Sequence, residues 1–327
     1  MKIDFHHHIF PKPYVDAFAG SDGYPRFQIE TDGRLMYVRK QDSVPLPRSV
    51  YDTDYRIRDL DRYGIDIAVL SLPLPFVDLF PLGKAVAVAR AVNDHIAQEV
   101  EGHPDRLVGL AALPMNSVDA AIEEAKRAIK DLGMKGFCLP TSINGNPPVS
   151  DEYLPLYETL ASLGGVLFFH PNNPAGASAM ASRRLITLLG YLFDTTLLVA
   201  KLVYEGVLER LPNLRVVTSH LGGALPYLAG RLHRGYLDYA ECKENITRSP
   251  THYLRNLYTD SISFDRDAML FAHRFFGEDR ILYGTDYPFL LGTPQTIAED
   301  VKALGLHEEA EAKVFYKNAM RLLGLSK

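Results

Sequence analysis

The chain has 327 residues, 47% of them hydrophobic and 23% charged, with 40 acidic against 35 basic residues and a net charge of −5. No Lys/Arg run or basic stripe is present, which excludes a polyanion as the main partner and fits a protein that buries a large core. Two cysteines, Cys138 and Cys242, are too few for a disulfide framework, and the longest apolar stretch, Leu185 to Val203, is interrupted by Tyr191, Asp194 and Lys201. With no basic-then-apolar leader at the start, the expectation is a cytoplasmic enzyme with neither nucleic-acid nor membrane partners.

Short apolar strands alternate with longer helical patterns. The first predicted strand, Lys2 to His6, runs into His6-His7-His8. Residues 12–55, rich in Gly, Pro, Asp and Tyr, follow as a long insertion, expected to be a loop that covers the active site. A helix from Arg56 to Tyr63 leads to the second strand, Ile65 to Ser71, and a helix from Gly83 to Glu101 to the third, Leu107 to Leu113. Helix Ser117 to Leu132 precedes the fourth strand, Met134 to Leu139, and helix Asp151 to Leu163 the fifth, Gly165 to His170. One long helix, Arg183 to Leu211, precedes the sixth, Leu214 to Ser219. The seventh, Asn256 to Ile262, and the eighth, Arg280 to Thr285, flank a helix from Asp265 to Phe276. Helices Pro294 to Leu304 and His307 to Leu323 finish the chain. Eight such units predict one α/β domain over 1–327, a distorted (β/α)8 TIM barrel with an insertion after strand one and extra C-terminal helices.

In such barrels the chemistry sits at the C-terminal strand ends. Side chains alternate along a strand, so His6 and His8 share a face while His7 points away and is expected to pack or cap behind it. Strand five ends in Phe169-His170-Pro171, strand six in Thr218-Ser219-His220 and strand eight in Gly284-Thr285-Asp286-Tyr287-Pro288. His6, His8, His170 and Asp286 make a three-nitrogen, one-oxygen set suited to one divalent cation, Zn²⁺ or alternatively Mn²⁺. His220 is left over as a general acid or base. Each residue has an ordinary reading too: a strand-end histidine can simply cap, and Asp before Tyr-Pro can be a turn residue. Their joint occurrence at four strand ends favours a site. His95, His103, His233, His252, His273 and His307 are read as surface residues.

The motifs Ile3-Asp4-Phe5-His6-His7-His8 with Pro11, Phe169-His170-Pro171, Ser219-His220-Leu221-Gly222-Gly223 with Pro226 and Gly230-Arg231, Tyr258-Thr259-Asp260-Ser261, and Asp279 through Phe289 occur in this order over nearly the whole chain. Together they resemble the metal-dependent amidohydrolase superfamily. More narrowly, they resemble its branch of 2-amino-3-carboxymuconate-6-semialdehyde decarboxylase and salicylate- and resorcylate-type decarboxylases. The resemblance implies His6, His8, His170 and Asp286 as ligands of one metal ion and His220 as catalytic. It also implies that Arg231 reaches the substrate carboxylate of a neighbouring subunit, hence a homodimer or higher oligomer.

Two-metal members carry a modified lysine at the end of strand four. Here that strand ends in Cys138-Leu139-Pro140, with Lys135 at its beginning, so one metal is expected. The tryptophan that follows His-Pro in the semialdehyde decarboxylase is absent, so the expected substrate shifts toward an aromatic acid such as a hydroxybenzoate. The predicted activity is metal-dependent, non-oxidative decarboxylation of a small aromatic or muconate-type carboxylic acid, with His220 or Asp286 handling the proton. The alternative is hydrolysis of a lactone or amide, or hydration, at the same site. Arg231, Arg48, Asn172, Phe76 and Tyr287 are the expected substrate contacts, with Phe80, Asn173, Tyr191 and Phe289 on the same rim.

Overall fold

The computed structural model describes residues 1–19, 23–40, 42–289 and 291–326. Eleven strands are present among them: β1 (Ile3–His8), β2 (Arg26–Ile29), β3 (Leu35–Val38), β4 (Ser43–Leu46), β5 (Ile67–Ser71), β6 (Leu107–Ala112), β7 (Gly136–Pro140), β8 (Val166–His170), β9 (Arg215–Thr218), β10 (Tyr258–Asp260) and β11 (Ile281–Leu282). Eight of them form one sheet in the order β1-β5-β6-β7-β8-β9-β10-β11, with every pairing parallel. Backbone bonds from Phe5 N–H to Tyr283 O (2.9 Å), Asp286 N–H to His6 O (2.9 Å) and His8 N–H to Tyr287 O (2.8 Å) close it into a barrel. The eight predicted barrel strands are all present, and the seam that closes them brings the end of the eighth directly beside the histidines of the first.

Gly284 makes that seam possible. A Cβ there would lie 2.7 Å from the His6 Cβ and 3.0 Å from that of Asp260, closer than packed atoms approach. The barrel interior is filled by Ile3, Phe5, Val69, Val108, Leu110, Cys138, Val166, Phe168, Val217 and Leu282. Burial pushes the Cys138 thiol up, so it is an inert core group. A second, larger apolar layer lies between sheet and helices.

Two expectations are corrected. The insertion is structured: helix Lys12–Asp16, an antiparallel sheet of β2, β3 and β4, and a 3₁₀ turn Arg48–Val50. Its positions 20–22 and 41 lie outside the described residues. Alternation in Leu35-Met36-Tyr37-Val38 buries Leu35 and Tyr37, and Leu46 is fully buried, so this sheet carries its own apolar face into the barrel mouth. The long helix is also divided, into a π-helical turn Ile186–Gly190, an α-helix Tyr191–Tyr204 and a short helix Val207–Arg210. Glu205 and Gly206 interrupt it, and Gly206 sits at φ +73°. The stretch Ile186–Tyr204 has the length and hydropathy of a membrane span, but half of it is packed inside the fold.

Arg56 ties the insertion to the catalytic end of β1. Fully buried, it donates to His8 O and to Val50 O, both at 3.0 Å. Arg56→Ala removes both bonds and leaves a void. It is expected to cost about 3 kcal/mol, read as a lowered urea midpoint.

Candidate metal centre and active site

A register shift between Asp4 and His7 in β1 lets Phe5 and His6 both lie against Phe168. His6 and His8 then point together into the barrel mouth, their Nε2 atoms 2.9 Å apart. His7 points away as expected: its Nδ1 bonds Asp4 at 2.8 Å and its ring stacks on Tyr287 at 4.6 Å. Asp4 in turn accepts from Thr285 N–H (3.0 Å) and Oγ1 (2.6 Å), which fixes the residue preceding Asp286.

Asp286 is the focus of the cluster. Its Oδ1 lies 3.1 Å from His6 Nε2, 3.0 Å from His8 Nε2 and 3.7 Å from His170 Nε2, and its Oδ2 lies 3.6 Å from His220 Nε2. Donor atoms of His6, His170, His220 and Asp286 all fall within 4.8 Å of one another. Three of the four imidazoles have their far nitrogen engaged: His6 Nδ1 by Asp260 (2.7 Å), His8 Nδ1 by Ser71 Oγ (3.0 Å) and His170 Nδ1 by Pro171 O (3.0 Å). Such a partner fixes the ring and frees the Nε2 lone pair, as metal-binding histidines require. The buried His170 Nε2 has no hydrogen-bond partner, and on the fourth ring the buried far nitrogen, His220 Nδ1, has none either. A divalent cation fits this donor set.

The electrostatics agree. Burial lowers His170, and it brings His8 down to about 4, so both are neutral near pH 7. Burial also opposes a charge on His6, but the charges and hydrogen bonds of Asp286 and Asp260 raise it to about 10; a cation would displace that proton. Burial works against the Asp286 anion as well, yet the charge of His6 and the nearby imidazoles of His170 and His220 hold it well below the usual carboxylate range.

Asp260, at the end of β10, was given no role from sequence. Its Oδ2 also accepts from His220 N–H (2.8 Å), and its Oδ1 accepts from Leu221 N–H (2.8 Å) and Ile262 N–H (3.1 Å). His220 and Leu221 sit at φ +53° and +55°, a strained conformation for such residues, and these bonds hold it. Asp260 carries the same signal as His6, His8, His170, His220 and Asp286: a polar residue at the C-terminal end of a barrel strand. Asp260→Asn is expected to weaken metal binding about 10–100-fold, measured by competition with a chelator.

A cavity of about 730 Å³ opens on the cluster, with His170, His220 and Asp286 in its wall. Phe289 and Tyr191 line it as expected. The other proposed contacts lie elsewhere. The Tyr287 hydroxyl bonds Ser49 and Asp59 behind β1. Arg48 pairs with Asp52 at 2.9 Å and stacks on Tyr55 at the surface. The Asn172 amide is tied back to Ser142 O at 3.2 Å, Phe76 is buried beneath His170, and Arg231 is exposed. Among the described residues the cations in the wall are Arg39, from just after β3, and Arg184. Asp42 holds both: Arg39 by two bonds of 2.7 Å, and Arg184 at 2.9 Å. Neither had a legible signal, since both are arginines in irregular segments.

Eight parallel strands with a His/Asp cluster at their C-terminal ends define a metal-binding TIM-barrel enzyme. The chain belongs to the amidohydrolase family, whose model matches residues 3–325. It is 32% identical over 339 residues to 2-amino-3-carboxymuconate-6-semialdehyde decarboxylase of Dictyostelium discoideum, covering 99% of this chain and 92% of that one. It is 30% identical over 290 residues to gamma-resorcylate decarboxylase of a Rhizobium species, covering 83% and 87%. Among solved structures, dihydroxybenzoic acid decarboxylase of Polaromonas sp. JS666, with bound manganese and the inhibitor 2-nitroresorcinol, superposes with a TM-score of 0.82 at 26% identity. That match covers 100% of this chain and 97% of the other.

Proposed function

We propose that this protein is a metal-dependent, non-oxidative carboxy-lyase acting on an aromatic carboxylic acid, with His6, His8, His170 and Asp286 holding one Zn²⁺ or Mn²⁺ ion. The observation that carries the metal assignment is the convergence of three imidazole Nε2 atoms on one Asp286 oxygen, each ring fixed through its far nitrogen. The Nε2 atoms of His6 and His8, 2.9 Å apart, are close enough to bind one ion together. The decarboxylase reading rests on the relatives, which are named decarboxylases. Between the candidate metals, manganese is the one bound in the Polaromonas enzyme.

A metal ion held by His6, His8, His170 and Asp286 would supply a Lewis acid for the substrate oxygens in such a decarboxylation. The departing CO₂ leaves its bonding pair on the ring carbon, and a proton must replace it. His220 reaches the cavity beside Asp286 and is the group that delivers this proton, with the Asp286 carboxylate as the alternative carrier. Arg39 and Arg184 bring positive charge to the same cavity and can hold the carboxylate.

Arg231 is proposed to act on a neighbouring subunit. It lies exposed on helix Leu225–Asp238. A row of exposed apolar side chains, Leu185, Leu189, Phe193 and Leu197, recurs at every fourth position near the cavity mouth, as a subunit contact would. Light scattering of the purified protein is expected to give a dimer or larger. The activity is tested by incubating metal-loaded protein with 2-hydroxybenzoate, dihydroxybenzoates and the carboxymuconate semialdehyde while measuring CO₂. Release from at least one supports the carboxy-lyase. Hydrolysis of lactones or amides without CO₂ from any acid overturns it in favour of a hydrolase.

A further inference from the structure

The cavity is larger and more apolar than a bare hydroxybenzoate requires. Its roughly 730 Å³ falls in the range of sites for drug-sized ligands, about 300–1,000 Å³, whereas a hydroxybenzoate has only about ten non-hydrogen atoms. The surplus lies away from the His/Asp cluster, among Leu188, Leu192, Phe264, Phe271 and Leu291, which line the same continuous space as His170 and His220. Four of these large side chains are 42–50% exposed in the subunit: Leu188, Phe264, Phe271 and Leu291.

One wall is built at a conformational cost. Phe264 sits at φ +62°, a left-handed conformation that costs a bulky residue on the order of 1–3 kcal/mol and that clusters at ligand clamps. Its ring packs over Gly292, where a Cβ would lie 2.6 Å from the ring edge. The strained backbone and the missing side chain together aim an aromatic ring into the cavity, at a place with no part in holding the metal. A surface that merely met another subunit would not require this.

We propose that the site is built for an aromatic carboxylic acid bearing an apolar substituent of several carbons, and that Phe264 is the residue that reads that substituent. This rests on the carboxy-lyase reading for the carboxylate end only; the apolar end stands on the cavity. The ring and carboxylate occupy the metal end, and the substituent lies against the apolar lining that includes Leu188, Leu192, Phe264 and Phe271. Burying each added methylene there is expected to strengthen binding roughly fourfold (about 0.8 kcal/mol) until the cavity is filled.

The test is a series of 2-hydroxybenzoates with linear alkyl chains of about zero to seven carbons, offered to the Mn-loaded and Zn-loaded protein. Both kcat/KM for CO₂ release and Kd by calorimetry are measured. The expected result is a gain in both with chain length, carried mainly by KM, and a flattened slope in Phe264→Asp and, independently, in Leu188→Asp. CO₂ release that is as fast from the unsubstituted acid as from any alkylated one, with no gain in affinity, overturns the inference and leaves the carboxy-lyase reading intact. Affinity that rises with chain length while no acid releases CO₂ supports the apolar site and overturns the carboxy-lyase reading. A slope unchanged in both variants shows that the gain arises outside this cavity and overturns the inference.

Discussion

Asp286→Asn is expected to abolish metal binding and activity together: metal content falls from about one ion per chain to below ~0.1, and turnover drops at least ~10³-fold. The reason is local. Asp286 is the only anion among the proposed ligands, and its Oδ1 is the point on which His6, His8 and His170 converge. The amide keeps the volume but removes the charge, leaving neutral nitrogens to hold a dication in a buried site. The fold should survive, because Asp286 occupies φ +55°, a conformation asparagine adopts as readily as aspartate. Elemental analysis and circular dichroism on one sample separate loss of metal from loss of structure. A variant that retains both metal and turnover would remove Asp286 from the site.

The second large effect is the opposite dissociation. His220→Asn should keep the metal and lose turnover by about 10²–10⁴-fold, the range for removing a positioned proton donor. His220 differs from the three proposed ligand histidines in a physical way: its far nitrogen, Nδ1, has no partner. Its backbone, at φ +53°, is pinned by Asp260, and asparagine again suits that conformation. Loss of metal in this variant would make His220 a ligand and would require His8 or His170 to take the free role.

Much of this was legible in the sequence because two rules act at once. A barrel strand is apolar along its length, and only its C-terminal end meets the substrate, so a polar residue there stands out. His6, His8, His170, His220 and Asp286 all announce themselves in that way, and the structure gathers them around one point. What strand periodicity could not supply was the seam. The approach of β1 to the chain following β11 depends on Gly284 and on backbone bonds from Asp286 and His8, contacts between residues nearly the whole chain apart.

The insertion was legible only in part. Its turn-rich composition suggests a loop, whereas its short strands, with four residues each, carry too few positions for alternation to stand out. For the same reason Arg39 went unnoticed and Arg48 was favoured. Both are arginines in the insertion, and only the fold shows that one meets the cavity while the other pairs with Asp52 outside. Tyr287 misled for a related reason. It follows Asp286 directly, but Asp286 sits at φ +55° and the chain turns there, sending the Tyr287 side chain toward His7, Ser49 and Asp59.

One divalent ion, held by His6, His8, His170 and Asp286, is proposed to be required to remove a carboxylate from an aromatic acid. The measurement that tests it most directly is CO₂ release by the same preparation before chelation, after chelation and after titration with Mn²⁺ or Zn²⁺. Activity is expected to vanish with the metal and to return in proportion to ion bound, saturating near one per chain. Undiminished CO₂ release from metal-free protein would contradict it.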